Sequence, residues 1–275
     1  MFEDVPTNQW EFNVPCNLCG CKTTHLILEN VQGNHHNLVE CDDCGLRFFD
    51  PRLSWKWMYN EMVHNAAGKI VAENCISKGV LVPEVEVNAL PPEQQKLSIQ
   101  NYYHGLYVDL LKHIGNKKPL VLEVGSNIGW FLREAIKAGA RPDSQGVDLC
   151  PHAVKIGRKE FGLNLFACPF CDFVPDTSEG FDMILTNDYI EHTYTPAQDL
   201  RLMRDYSHDR TVLFLKTFLE ELDEPAGRTM ICPPWHSYHF TEATLRRALE
   251  EAGWKVQKLF TEGVIVTVIA KAIPR

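Results

Sequence analysis

The sequence holds 275 residues, 45% hydrophobic and 23% charged, enough for one sizeable core and a small appended unit. Asp and Glu number 36 against 27 Lys and Arg, a formal charge of -9, which disfavours nucleic acid as a partner because a phosphate backbone asks for the opposite balance. Met1-Phe2-Glu3-Asp4 lacks the basic-then-apolar order of a signal peptide, and the longest apolar run, around Val264 to Ala270, is too short to cross a bilayer, so a cytoplasmic protein off the membrane is expected.

Residues 1–54 read as a small metal-binding module. Ten cysteines without a secretory signal indicate metal ligands and buried thiols rather than disulfides. Two of the runs are Cys16-Asn17-Leu18-Cys19-Gly20 and Cys41-Asp42-Asp43-Cys44-Gly45. Two residues between cysteines let one tight turn aim both sulfurs at a single ion, and the glycine that follows supplies an unrestricted backbone. Cys16, Cys19, Cys41 and Cys44 are therefore the expected ligands of one structural zinc in a zinc ribbon. Thr24–Leu28 and Asn37–Glu40 read as strands joined by a turn at Gly33-Asn34. His35 and His36 at that tip are expected in a solvated turn, and Cys21 lies outside the repeated pattern. A third pair, Cys168-Pro169-Phe170-Cys171, stands alone and reads as a loop.

Residues 55–105 read as a helical linker or lid. Ser54 is placed to cap a helix through Trp57, Met58 and Met62. An apolar stretch from Val80 to Val87 is broken by Pro83, and Pro91-Pro92 punctuates the chain before a helical pattern carrying Leu97, Tyr103, Leu106, Leu110 and Leu111. Tyr102, Tyr103 and His104 are within reach of a ligand or serve as core aromatics; Tyr103 is taken as a candidate acceptor-site residue.

From 106 to 275 the pattern is α/β. Leu120-Val121-Leu122-Glu123-Val124 is an apolar strand, followed by the turn Gly125-Ser126-Asn127-Ile128-Gly129 and a helix beginning at Trp130. Such junctions bring backbone close to a ligand at the carboxyl end of a parallel strand. A dinucleotide fingerprint would need glycine at 127 and 130, where Asn127 and Trp130 stand, so the nicotinamide reading fails. The alternative E/D-x-G-x-G-x-G turn fits Glu123, Gly125 and Gly129, with Asn127 the one departure. Here the chain resembles class I S-adenosylmethionine-dependent methyltransferases, and Glu-Val-Gly-Ser-Asn-x-Gly is similar to the version in zinc-containing sugar C-methyltransferases.

The resemblance covers about Leu120 to Ala270. It implies a Rossmann-like, seven-stranded doubly wound sheet with an antiparallel last strand. It also implies that Glu123, Gly125, Ser126, Asn127, Gly129 and Asn187 surround S-adenosylmethionine and that Asp148, ending the strand Gln145-Gly146-Val147-Asp148, accepts from the ribose hydroxyls. Phe181–His192 matches the family's fourth strand and its Glu-His pair, with Pro196 shortly after. Thr211–Leu215 reads as the fifth strand, Glu242–Glu251 as a helix closed by Gly253, and Lys255–Phe260 with Val264–Ala270 as the terminal hairpin. Glu220–Glu224 reads as a solvated acidic face.

Methyl transfer needs the acceptor atom in line behind the methyl group, and a carbon acid or hydroxyl must also lose a proton. His192 is the candidate base, with Glu191 orienting it or acting in its place; packing beside the cofactor is the plain alternative. Trp235, His236 and His239 are candidate acceptor-site residues, with a turn before the helix as the alternative. The expected partner is a small polar acceptor such as a nucleotide sugar or a glycan or natural-product intermediate. The competing readings are a ribosomal-RNA base methyltransferase with N-terminal zinc, and a zinc-stabilised protein that binds the cofactor without turnover. The first lacks an Asn/Asp-Pro-Pro-Tyr motif, since Asn187-Asp188-Tyr189-Ile190 stands in its place. The sequence leaves the oligomeric state open.

Overall fold

The computed structural model describes residues 5–33, 35–64, 92–219 and 231–275. The Val80–Val87 stretch, Asn34 of the expected turn and the acidic run Glu220–Glu224 lie outside the described residues.

Seven strands form the main sheet: β6 (Val121–Val124), β7 (Gln145–Asp148), β8 (Asn164–Ala167), β9 (Phe181–Asn187), β10 (Ser207–Phe218), β12 (Trp254–Glu262) and β13 (Ile265–Ala272), in the order β12-β13-β10-β9-β6-β7-β8. The five strands from β8 to β10 run parallel, while β13 is antiparallel to both β10 and β12. This is the doubly wound sheet with an antiparallel last strand that the sequence predicts. The chain moves outward from β6 through β7 to β8, then returns to β9 on the other side of β6. The crevice between the carboxyl ends of β6 and β9 is therefore the switch point where such sheets bind ligands.

Alternation along the strands divides the core into two layers. Val121, Met183, Leu185, Val212 and Phe214 face a cluster built with Tyr103, Tyr107 and Leu110 of α2 (Pro92–Leu111), Phe131 and Leu132 of α3 (Trp130–Lys137), and Ala153 and Val154 of α4 (Pro151–Phe161). Leu122, Val124, Ile184, Leu213 and Leu215 face the opposite cluster, with Ala197, Leu200 and Met203 of α5 (Pro196–Asp205) and Leu245, Ala248 and Leu249 of α6 (Glu242–Glu251). Period-two alternation in strands buried on both faces produces this split. Helix α2 spans position 105, where the sequence reading divides the linker from the methyltransferase region. Leu97 on that helix is exposed, so not every apolar position of its pattern is core.

The cysteine module packs largely on the second layer, where Val14, Cys16, Leu18, Val39, Cys41, Leu46 and Phe48 belong to the same cluster as α5 and α6, while Val31, Leu38 and Phe49 pack with Ile231 and Leu53 packs with Tyr194. Its sheet comprises β2 (Thr24–Leu28), β3 (Leu38–Cys41) and β4 (Arg47–Phe49), extended by β11 (Tyr238–His239), which pairs antiparallel with β4. A two-stranded ribbon of β1 (Trp10–Glu11) and β5 (Arg52–Leu53) closes the module, and α1 (Trp55–His64) follows, with Ser54 Oγ accepting from the N–H of Trp57 at 3.3 Å as the capping residue. Contrary to a solvated turn, His36 is fully buried, its ring 4.9 Å from that of Trp10 and 5.3 Å from that of Phe49. An apolar seat between two aromatic rings is what keeps it from the surface.

Candidate active site

The turn after β6 takes its shape from three left-handed residues at alternate positions: Gly125 (φ 75°), Asn127 (φ 49°) and Gly129 (φ 81°). Asparagine is the non-glycine residue best suited to that region, which explains how position 127 departs from glycine without altering the turn. Gly125 has a second reason to lack a side chain, because a Cβ there would meet the Tyr189 ring at 3.0 Å. The adjacent helices close just as tightly: a Cβ on Gly157 of α4 would lie 2.4 Å from the Ile128 carbonyl oxygen. Two acidic groups hold the turn. Asp148 Oδ2 accepts from the N–H of Asn127 at 2.7 Å, and its Oδ1 from Cys150 N–H at 2.8 Å. Glu123 Oε2 accepts from the N–H of Leu132 at 3.1 Å, capping α3, and burial pushes this carboxyl up to about 8.

Along the carboxyl edge from this turn to β10, the buried polar atoms Ser126 Oγ, Thr186 Oγ1, Asn187 Oδ1 and Asp188 Oδ1 collect without hydrogen-bond partners, and the buried Glu191 carboxyl lies beside the Thr217 hydroxyl. Buried polar groups are ordinarily satisfied, so such a concentration at a topological switch point marks a ligand site. A zwitterionic amino-acid moiety and a ribose fit this set of donors and acceptors. Asn187 Nδ2 donates to Asp188 Oδ2 at 3.0 Å, leaving its carbonyl oxygen for that ligand. Burial and the neighbouring Glu191 charge raise Asp188 to about 6, and burial raises Glu191 to about 7.

Beyond Asp188 lies the second half of the recess. His192 is solvent-accessible yet surrounded by protein, an environment that depresses its pKa by desolvation, with the Trp235 carbonyl and Asp188 pulling the other way. Its Nδ1 lies 2.9 Å from the Trp235 carbonyl oxygen. A carbonyl only accepts, so Nδ1 carries the proton and Nε2 keeps its lone pair as a neutral base. The orienting group is thus Trp235, not Glu191 as the sequence suggests; backbone carbonyls carry no residue signature. The His236 ring sits 4.8 Å from that of His192 and stacks on Phe218 at 5.7 Å. Lys216, two residues before Phe218 on β10, donates to the Tyr102 hydroxyl at 3.3 Å.

Two expected residues lie elsewhere. Tyr103 is buried in the first core layer, edge-on to Phe131 at 6.0 Å, and its neighbour Tyr102 is the one that reaches the carboxyl edge. His239 is buried in β11 against Phe49 at 5.1 Å, where desolvation lowers its pKa to about 3. Adjacent residues on a helix or strand point to different faces, and sequence proximity did not resolve which of each pair faces the recess.

The four cysteines converge. Sγ of Cys16 and Cys44 are 3.4 Å apart, those of Cys19 and Cys41 are 3.5 Å apart, and all four lie within 4.8 Å of one another. Zinc–sulfur bonds of about 2.3 Å in a tetrahedron require sulfurs about 3.8 Å apart, so the set fits such an ion. The two knuckles repeat bond for bond: Gly20 N–H donates to Cys16 O and Gly45 N–H to Cys41 O, while Cys16 and Cys41 N–H donate to Cys21 O and Leu46 O. Cys21 occupies the place of Leu46 in this repeat and bonds Thr23 instead. Among the four thiols, the N–H groups of Cys44 and Asp43 bring Cys41 down to about 7, while burial raises Cys19 and Cys44. Cys168 and Cys171 flank a 3-10 turn after β8 and join no ligand cluster among the described residues.

A family model described as a methyltransferase domain matches residues 99–259. A search of curated proteins returns no match. Among solved structures, magnesium protoporphyrin IX methyltransferase from Synechocystis PCC 6803 with bound S-adenosylhomocysteine is similar at a TM-score of 0.58 and 14% identity, over 80% of this chain and 99% of that one. A methyltransferase from Clostridium acetobutylicum aligns at 0.53 and 8% identity, over 76% and 100% of the two chains. A chain from the complex of the Haloferax volcanii Trm112 activator with a putative methyltransferase aligns at 0.53 and 12%, over 66% and 94%. At these identities the likeness shows the fold. No helix among the described residues is long and apolar enough to cross a membrane.

Proposed function

Because the chain belongs to the class I S-adenosylmethionine-dependent methyltransferases, we propose that it methylates a small polar acceptor, a nucleotide sugar or a glycan or natural-product intermediate, with His192 as the base. The observation that carries the reading is the contact of His192 Nδ1 with the Trp235 carbonyl, which leaves Nε2 unprotonated on a solvent-accessible residue. S-adenosylmethionine, when bound, supplies an electrophilic methyl group on sulfonium. Gly125, Ser126, Asn127 and Gly129 form its backbone cradle, Asp148 keeps a lone pair on each oxygen for the ribose, and Asn187 offers its carbonyl to the methionyl end. Glu123 serves this site at one remove, by capping the helix that starts the cradle. His192 would take the acceptor's proton, while the methyl carbon would pass from sulfur to the acceptor atom with the thioether S-adenosylhomocysteine as leaving group. Trp235 and His236, with Phe218, wall the acceptor, and Tyr103 and His239 are buried away from it.

The acceptor class rests on the compact aromatic and imidazole lining and on the acidic net charge, which together suit a small neutral or polar molecule better than a nucleic acid. Cys16, Cys19, Cys41 and Cys44 hold a structural zinc in this reading; four thiolates leave no open position for chemistry. Calorimetry with S-adenosylmethionine, S-adenosylhomocysteine and NAD tests the cofactor assignment, and binding of NAD alone would end it. Elemental analysis should return about one zinc per chain. With those established, a panel of nucleotide sugars and glycan precursors, read by mass gain of one methyl group, tests the acceptor.

A further inference from the structure

The segments that carry the acceptor chemistry are joined to each other and to the cysteine module by one set of bonds. Tyr238 N–H donates to the Glu191 carbonyl at 3.2 Å, and the Tyr238 hydroxyl donates to the Tyr194 carbonyl at 3.3 Å, so residues 191–194 and 235–239 are clamped side by side. The His192 to Trp235 bond lies inside this clamp. On its outer side, β11 completes the module's sheet by pairing with β4, and the Tyr194 hydroxyl donates to the Leu53 carbonyl at 2.6 Å.

Arg52 ties these together. Its Nη1 donates to the Tyr238 hydroxyl at 3.0 Å, its Nε to Glu11 Oε2 at 2.8 Å, and its guanidinium lies over the Tyr194 ring at 4.4 Å. The side chain is 13% exposed, so these contacts form where water competes poorly. A planar fork with fixed donors meets both partners and the ring at once, which the single ammonium of lysine does not. Among the described residues, none from 5–64 joins the core layer built on α2, α3 and α4, although the module shares the opposite layer with Val124 and Val147 of the strands beside the turn. The module's bonds named here all reach the acceptor half.

We propose that Arg52 and Tyr238 are positioning residues for methyl transfer, through which the metal-bound cysteine module sets the acceptor half of the site while the cofactor half stands without it. The proposal rests on the reading of His192 as base and of the cysteines as zinc ligands. Arg52 keeps Tyr238 in register, Tyr238 keeps Glu191 and Tyr194 beside β11, and the Trp235 carbonyl then fixes the tautomer of His192.

The test uses the full chain, with Arg52→Lys, Arg52→Ala and Tyr238→Phe variants and a chelator-treated wild type. Amide hydrogen exchange at Tyr238 should accelerate about tenfold or more in Arg52→Ala and less in Arg52→Lys, while the amides of Ser126 and Asn127 stay protected and affinity for S-adenosylhomocysteine stays within about twofold. In 15N-histidine spectra, the protonated Nδ1 signal of His192 should give way to a tautomer mixture in the same variants. Chelation should reproduce the pattern, with exchange rising at Tyr238 and S-adenosylhomocysteine still bound. Unchanged exchange at Tyr238 in Arg52→Ala, or a parallel loss of S-adenosylhomocysteine affinity in the variants or on chelation, would overturn the proposal. Tyr238→Phe deletes one hydroxyl and keeps the ring, so it carries the test where Arg52→Ala fails to fold. None of these readouts uses turnover, so a failed base assignment would leave them standing and be seen separately.

Discussion

The two halves of the recess are built differently. The cofactor half comes chiefly from the run Glu123 to Asp148, in which a strand, a turn and a helix bond to one another and to the next strand, with Asn187 added from the end of β9. The acceptor half is gathered from residues 47–53, 191–194 and 235–239, brought together across the chain by a strand pairing and an arginine. A locally encoded site keeps its shape wherever its strand and helix form. A site assembled from distant segments depends on every contact that brings them together, so the two halves should respond differently to the same insult.

The largest expected separation follows metal loss. Structural zinc contributes on the order of 10 kcal/mol in isolated fingers, so Cys41→Ser or a Cys16/Cys19 double replacement should lose the ion and melt the module in a thermal scan. Full zinc retention in the double replacement would contradict the ligand set. Next comes His192→Asn, expected to lower turnover by about a hundredfold while leaving affinity for S-adenosylmethionine unchanged by calorimetry. A base must be unprotonated, so the wild-type rate should rise with pH and level off once His192 is neutral, with desolvation by the surrounding protein moving its pKa downward from the ordinary imidazole value. An ionisation near 7 that survives His192→Asn belongs to Glu191.

Asp148→Ala should act on the other half. Loss of a charge-assisted bond to the ribose costs about 1.5–3 kcal/mol of cofactor affinity, and the bonds to Asn127 and Cys150 go with it. Unchanged affinity would place the ribose elsewhere. The smallest effect is at Asn127, where φ is 49°. Asn127→Ala should destabilise the fold by about 1–2 kcal/mol in denaturant melts and Asn127→Gly by less, since only the alanine pays for a left-handed backbone.

The same contrast governs what could be read from the chain in advance. The Gly125–Gly129 turn and the two cysteine knuckles are short-range patterns and legible in the sequence, the seven-stranded sheet followed from the family resemblance, and strand β8 (Asn164–Ala167) left no signal of its own. Strand β11 was not legible either: Tyr238-His239 is a two-residue strand whose partner, β4, lies far back in the chain, and alone it reads as a lead-in to α6. The carbonyl of Trp235 left no trace because every residue has one. Of the acceptor-site candidates, His236 lies beside His192 while His239 is buried, and Tyr102 rather than Tyr103 reaches the carboxyl edge, since spacing names a neighbourhood more readily than a face.

Strand β11 also bears on how this protein came to be one piece. An exposed sheet edge is a template for pairing with other chains, and natural proteins cover, shorten or charge it. The free side of β4 is covered by two residues from the far end of the chain, so residues 1–54 cut away would present Arg47–Phe49 to any strand they met. The module is thus not a portable cassette. Its edge is sealed only while β11 stays paired with β4, so the module and the sheet domain are expected to need each other to stay free of strand-to-strand association.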